Sequence, residues 1–143
     1  MITNISISQP HAHQLEGLAR KHYPVEACAL LEGKIVAGPG ADVATNTAMV
    51  FGIIPIRNSD ESPNTFSMDP IDLINAYQDI DLRGLEVVGI FHSHNSLPLP
   101  SSTDIKYMEL NPVVWLIYST SSNSYSAYIL DTKIMQVALR ITT

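Results

Sequence analysis

Polar and apolar residues alternate through residues 2–7, "ITNISI", which predicts a short strand with Ile5 and Ile7 on one face. The period then lengthens. Ala12, Leu15, Leu18, Ala19 and His22 recur at three- and four-residue spacing, as in a helix capped by Ser8 and ended by Pro24. "EACALLEG" and "KIVAG" read as a hairpin turning at Glu32-Gly33, with "GPGAD" as a further turn. "TAMVFGII" reads as a strand stopped by Pro55.

After a polar loop at 57–65, Asp69 predicts a helix cap, Pro70 a first-turn residue and Asp72 a reciprocal capping carboxylate. Leu73, Ile74, Tyr77 and Ile80 supply that helix with an apolar stripe, and Gly84 closes it. "LEVVGIF" is a continuous apolar run, as in a central strand. A short helix is expected from about Ser101 to Leu110, followed by strands in "VVWLIYST", "SYSAYIL" and "KIMQVALRI". Strands outnumber helices about two to one. The fold class is therefore α/β: a single mixed β-sheet with two or three covering helices, in one domain spanning residues 1–143.

Composition narrows the functional classes. The chain of 143 residues is 45% hydrophobic and 15% charged, which argues for a packed core and against disorder. A net charge of −6 argues against nucleic acid or an anionic membrane as partner. No stretch of about 20 apolar residues predicts a bilayer span, and no basic segment followed by an apolar one marks export at the N-terminus. With Cys28 as its single cysteine the chain forms no internal disulfide, and a cytoplasmic location is expected. Cys28 lies in an apolar run and reads as core, as does Trp115. His11 and His13 share no helical face and, like His22, read as surface residues.

The chemistry concentrates in "GIFHSHNSLPLPSSTD", residues 89–104. Residues two apart on a strand point the same way, so His92 and His94 project together on the face of Ile90. Asp104 follows His94 by ten residues, across a loop containing Pro98 and Pro100. Two imidazoles and a carboxylate can hold one zinc ion and leave a fourth position for water. The same residues also read as surface histidines followed by a capping box, Ser101 with Asp104. The two readings are compatible, because a carboxylate in a first helical turn is held in a defined place. A metal-bound water needs a base, and the glutamates at 16, 26, 32, 61, 86 and 109 are all candidates. Glu26 stands out at the lip of the apolar "ACALL" run, although spacing alone leaves the choice open.

Taken together, "YPVEACALLEG", Asn46, "FSMDP" and "VVGIFHSHNSLPLPSSTD" resemble the JAMM (MPN-type) zinc metalloproteases, above all their compact prokaryotic members. The resemblance implies an MPN/JAMM (cytidine-deaminase-like) fold with Zn2+ held by His92, His94 and Asp104. It implies Glu26 as general base and Ser101 as the donor that stabilises the oxyanion. It also implies cleavage of peptide or isopeptide bonds after the C-terminal Gly-Gly of a small ubiquitin-like or sulfur-carrier protein. An inactive scaffold of the same fold and a different metal-dependent amide hydrolase are the alternatives. Two features depart from the family pattern: Asn95 stands where proline is usual, and the loop from His94 to Asp104 is one residue shorter.

Overall fold

The computed structural model describes residues 1–38 and 45–143. The chain runs β1 (Ile2–Ser8), α1 (Gln9–His22), β2 (Cys28–Ala37), β3 (Asn46–Ile56), α2 (Pro70–Leu82), β4 (Glu86–His94), α3 (Ser102–Leu110), β5 (Val114–Ser119), β6 (Ser124–Asp131) and β7 (Lys133–Thr142). Among the described residues no helix is long and apolar enough to cross a membrane.

The sheet is mixed, as expected, and it closes on itself. Its order is β1-β3-β2-β4-β5-β6-β7, with β7 returning to pair with β1. This corrects the picture of a simple covered sheet. Ile5 pairs with Leu139 and Ile7 with Ile141, so the last strand covers the edge that β1 would otherwise expose.

The central strands are buried on both faces. In β2, Ala29 and Leu31 join Ile5, Ile7, Leu15 and Phe91 in one core, while Cys28 and Leu30 join Ile80, Ile90, Met108 and Trp115 in another. The first core ties α1 to the sheet; the second ties α2 and α3 to the opposite face. Alternation along β4 therefore decides which core each side chain enters, and His92 follows Ile90 towards α3.

Local signals account for the helix starts. Ser8 accepts from the His11 N–H at 3.3 Å and Asp69 from the Asp72 N–H at 3.0 Å. Asp72 does not reciprocate: its carboxylate accepts instead from the Arg57 N–H at 3.1 Å, tying the preceding loop to the helix. Gly84 sits at φ +69° after α2, a conformation that side chains disfavour.

Three further expectations change. No hairpin forms at Glu32-Gly33: β2 is one strand with a bulge there, opposite β3 and β4. Gly33 is required by close approach, because a Cβ would run into the Met49 carbonyl. β3 continues through Pro55 to Ile56, since beyond Met49 it pairs with β2 and, among the described residues, has no strand partner on its other side. In α2 the buried residues are Ala76 and Ile80, whereas Ile74 and Tyr77 are exposed. The small Ala76 lets the helix approach the sheet along the Leu73–Ala76–Ile80 line. The turn expected at "GPGAD" falls mainly outside the described residues.

Candidate metal centre

The site forms where β4 ends, and register brings its parts together. Cys28 of β2 pairs with His92 of β4, so Glu26, two residues before Cys28, lies beside the His92–His94 segment. The backbone of this approach is pinned. Ala27 N–H donates to Ser93 Oγ at 2.9 Å, and Ser93 N–H donates to the Ala27 carbonyl at 2.9 Å. Glu26 N–H donates to the Ser62 carbonyl at 2.9 Å, while Asn58 Nδ2 donates to the Glu26 carbonyl at 3.0 Å.

His92 and His94 do point the same way. Their Nε2 atoms are 2.8 Å apart, and each lies 3.2 Å from Asp104 Oδ2. The shorter loop has therefore not carried Asp104 away. Asp104 is placed by a complete capping box: its N–H donates to Ser101 Oγ at 3.1 Å, and the Ser101 N–H donates to Asp104 Oδ2 at 2.8 Å. His94 Nδ1 donates to the Leu97 carbonyl at 3.2 Å, which fixes the ring with Nε2 aimed at the centre. His92 Nδ1 is buried without a hydrogen-bond partner. Its ring is held by stacking instead, with Phe66 at 4.5 Å and 24° and Trp115 edge-on at 5.8 Å.

These atoms suit a cation. In a tetrahedral zinc site with bonds of 2.0–2.1 Å, neighbouring ligand atoms are roughly 3.3 Å apart. Two ring nitrogens and one carboxylate oxygen sit close to that spacing around a common point. Glu26, His92 and His94 also offer ligand atoms within 4.8 Å of one another, a set that could hold a metal ion. Asp104 and Glu26 thus each approach the same pair of imidazoles, Asp104 Oδ2 at 3.2 Å from both Nε2 atoms.

Their electrostatics differ with environment. Burial pushes the Glu26 carboxyl up to about 8, opposed by the nearby His94 and reinforced by Asp104. Its Oε1 is buried without a partner. Burial also favours neutral Asp104, but hydrogen bonds from both imidazoles outweigh it and hold that carboxyl well below the usual range. Burial lowers His92. For His94 burial is again the largest influence, yet hydrogen bonds to Asp104 and Leu97 leave it raised. One carboxylate is thus set to stay ionised and the other to exchange a proton near neutrality.

Ser101, Glu26 and His94 line the same open mouth with Pro63, Asn64, Asn95 and Ser96. Other sequence readings resolve simply. Cys28 is a free, buried thiol whose pKa burial pushes up to about 12, as befits a core residue. Trp115 is buried, and its Nε1 donates to the Asn111 carbonyl. His13 and His22 are exposed and His11 is half-buried, and none of them joins the group that could hold a metal ion. Sequence reasoning missed Phe66, Ser93 and Asn58. Only Ser93 carried a local signal, since alternation turns it away from its two histidine neighbours.

Comparison with known proteins supplies an independent frame. The family described as prokaryotic homologs of the JAB domain matches residues 8–130. The chain is 38% identical over 110 residues to a desampylase of Pyrococcus furiosus, covering 76% of this chain and 69% of the relative. A desampylase of Haloferax volcanii is 32% identical over 110 residues, with 76% and 71% covered. A probable TtuB-protein conjugate cleaving protease of Thermus thermophilus is 41% identical over 56 residues, 38% of each chain. The solution structure of a protein from Desulfitobacterium hafniense superimposes with a TM-score of 0.78 at 26% identity, covering 96% of this chain and 92% of that one.

Proposed function

The chain belongs to the family of prokaryotic homologs of the JAB domain, and from that membership we propose that it is a zinc-dependent peptidase or isopeptidase. Its substrate is a small ubiquitin-like or sulfur-carrier protein, cut after the C-terminal Gly-Gly. The relatives named as desampylases and as a conjugate cleaving protease support this choice of substrate class. The observation that carries the reading is the convergence of His92, His94 and Asp104 beside Glu26, whose buried Oε1 has no hydrogen-bond partner among the described residues.

In this reading His92, His94 and Asp104 hold the ion, and the domain is the whole of residues 1–143. Bound zinc supplies Lewis acidity, acidifying water and polarising the scissile carbonyl. Glu26 takes a proton from the attacking water, whose oxygen bonds to the carbonyl carbon. As the C–N bond breaks, Glu26 returns that proton to the leaving amine. Burial alone biases the Glu26 carboxyl towards its protonated form, and a dication held beside it would favour the carboxylate. The group is therefore able both to take up and to give back a proton. Ser101 lines the mouth, and its hydroxyl, whose oxygen accepts from the Asp104 N–H, keeps a proton to donate to the oxyanion, where charge develops only in the transition state.

An extended tail needs a strand edge to lie against. Among the described residues β3 pairs beyond Met49 with β2 alone, and Ile56 lies opposite Cys28, two strand spacings (roughly 10 Å) from His92. The buried free thiol agrees with a reducing cytoplasm. The test is a lysine-linked conjugate of a Gly-Gly-terminated modifier, followed on a gel with chelator and with zinc restored. Cleavage that stops and then returns supports the proposal. Cleavage indifferent to chelator, or a conjugate untouched while simple acyl amides are hydrolysed, rejects it.

A further inference from the structure

Asn95 departs from the family pattern, and its side chain touches three separate segments around the mouth. Nδ2 donates to the Pro24 carbonyl at 2.7 Å and to the Pro63 carbonyl at 3.3 Å. Oδ1 accepts from Thr120 Oγ1 at 3.0 Å, at the end of β5. Carbonyl oxygens only accept, so two of them on one side oblige the amide nitrogen to face that way.

These contacts sit around Glu26. Pro24 and Pro63 flank the Glu26 N–H to Ser62 carbonyl bond, one on each of the two segments it joins. Glu26 precedes β2, in a segment with no ladder of its own. Its place over the imidazoles therefore depends on bonds from the 58–63 loop and from the end of β4. Asn95 follows His94 directly, so it couples that loop and the Glu26 segment to the strand that carries the imidazoles. Thr120 extends the tie: its N–H donates to the His94 carbonyl at 2.9 Å, and its single hydroxyl proton is shared between that carbonyl, at 3.2 Å, and Asn95 Oδ1.

We propose that Asn95 is a positioning residue, a three-way clamp that holds Glu26 over the His92–His94 pair and fixes the Pro63–Asn64 wall of the mouth. A proline at this position would have no side-chain donor and would make none of these bonds. Asn95 instead presents an amide whose donors and acceptor are all engaged. The inference rests on the reading of Glu26 as the base, but the clamp itself is measurable without any activity.

Two readouts on Asn95→Ala, Asn95→Asp and Asn95→Pro test it. The first is amide hydrogen exchange. All three variants should exchange Glu26, Ala27 and Asn64 at least about tenfold faster, with β4 and α3 unchanged. The second is kinetic, on the zinc-loaded protein. Each should lower kcat about 10- to 100-fold with zinc content unchanged and KM moved less. Asn95→Asp separates the clamp from mere filling of space, because it keeps size and acceptor while losing both donors. In a Glu26→Gln background, Asn95→Ala should add almost nothing, as expected for a residue acting through Glu26. Unchanged exchange, full activity of Asn95→Pro, or additivity in the double variant overturns the clamp. If wild type cleaves no modifier while exchange still accelerates at those amides, the clamp stands and the proposed function fails.

Discussion

Replacing Glu26 by glutamine in metal-free protein tests whether this carboxyl is buried as an acid. Burial raises it from 4.5 to about 8, so the folded state binds its proton more tightly than the unfolded chain. The sign follows directly. The group imposes no penalty below about pH 4.5, where both states are protonated. As pH rises towards 8, the unfolded chain ionises and the folded one does not, so stability falls. Above about 8 both are ionised and the loss levels off. The full rise corresponds to an upper bound of about 5 kcal/mol, and water at the open mouth reduces this to about 2–4 kcal/mol. Glutamine cannot ionise and removes the effect. Urea unfolding with chelator present, at half-unit steps from pH 4.5 to 8.5, measures it. The wild-type free energy should fall away from that of Glu26→Gln across this window. Parallel curves would refute the burial argument, whatever the absolute stabilities.

Three other expectations follow from the contacts. Ser101→Ala removes the α3 cap and should cost about 1 kcal/mol in thermal unfolding, with cleavage slowed about 100-fold as an oxyanion donor is lost. Equal rates for the two proteins would confine Ser101 to its capping role. Phe66→Leu keeps most of the apolar volume but loses the stack on His92, leaving Trp115 edge-on to a ring whose Nδ1 has no hydrogen-bond partner among the described residues. Zinc affinity by competition with a chromogenic chelator should fall about tenfold, and an unchanged affinity would show that stacking does not orient the ring. Arg83→Ala leaves the buried Glu32 carboxylate without its partner at 2.6 Å. Because Arg83 is half-exposed, the loss in urea unfolding should be about 1–3 kcal/mol; no loss would mean that water replaces the guanidinium.

What sequence made legible was whatever depends on near neighbours. His92 and His94 share a face because strand alternation is a two-residue rule, and Ser101 meets Asp104 because a capping box spans three. Asp69, Pro70 and Gly84 bounded α2 for the same reason. Closure of the sheet was not legible, since it joins β1 to β7 across nearly the whole chain. Gly33 looked like a turn because glycine signals either a bend or a close approach, and only the Met49 carbonyl distinguishes them. Glu26 could be suspected but not placed: its position follows from the register of Cys28 against His92. The same holds for Phe66 and Asn95, whose partners lie 26 and 71 residues away at His92 and Pro24. The α2 stripe misled because Ile74 and Tyr77 are as apolar as the positions the sheet covers, and the small Ala76 sets the approach.

The central claim is a division of labour: His92, His94 and Asp104 hold the ion, and Glu26 moves the proton. Glu26 also lies within ligand distance of both imidazoles, so one measurement on Glu26→Gln separates base from ligand. Zinc content and cleavage rate are determined on the same sample, using a modifier extended beyond its C-terminal Gly-Gly and read by mass spectrometry. The account predicts one zinc per chain, as in wild type, with cleavage slowed at least about 1,000-fold. A variant that has lost its zinc, or one that cleaves at the wild-type rate, contradicts it.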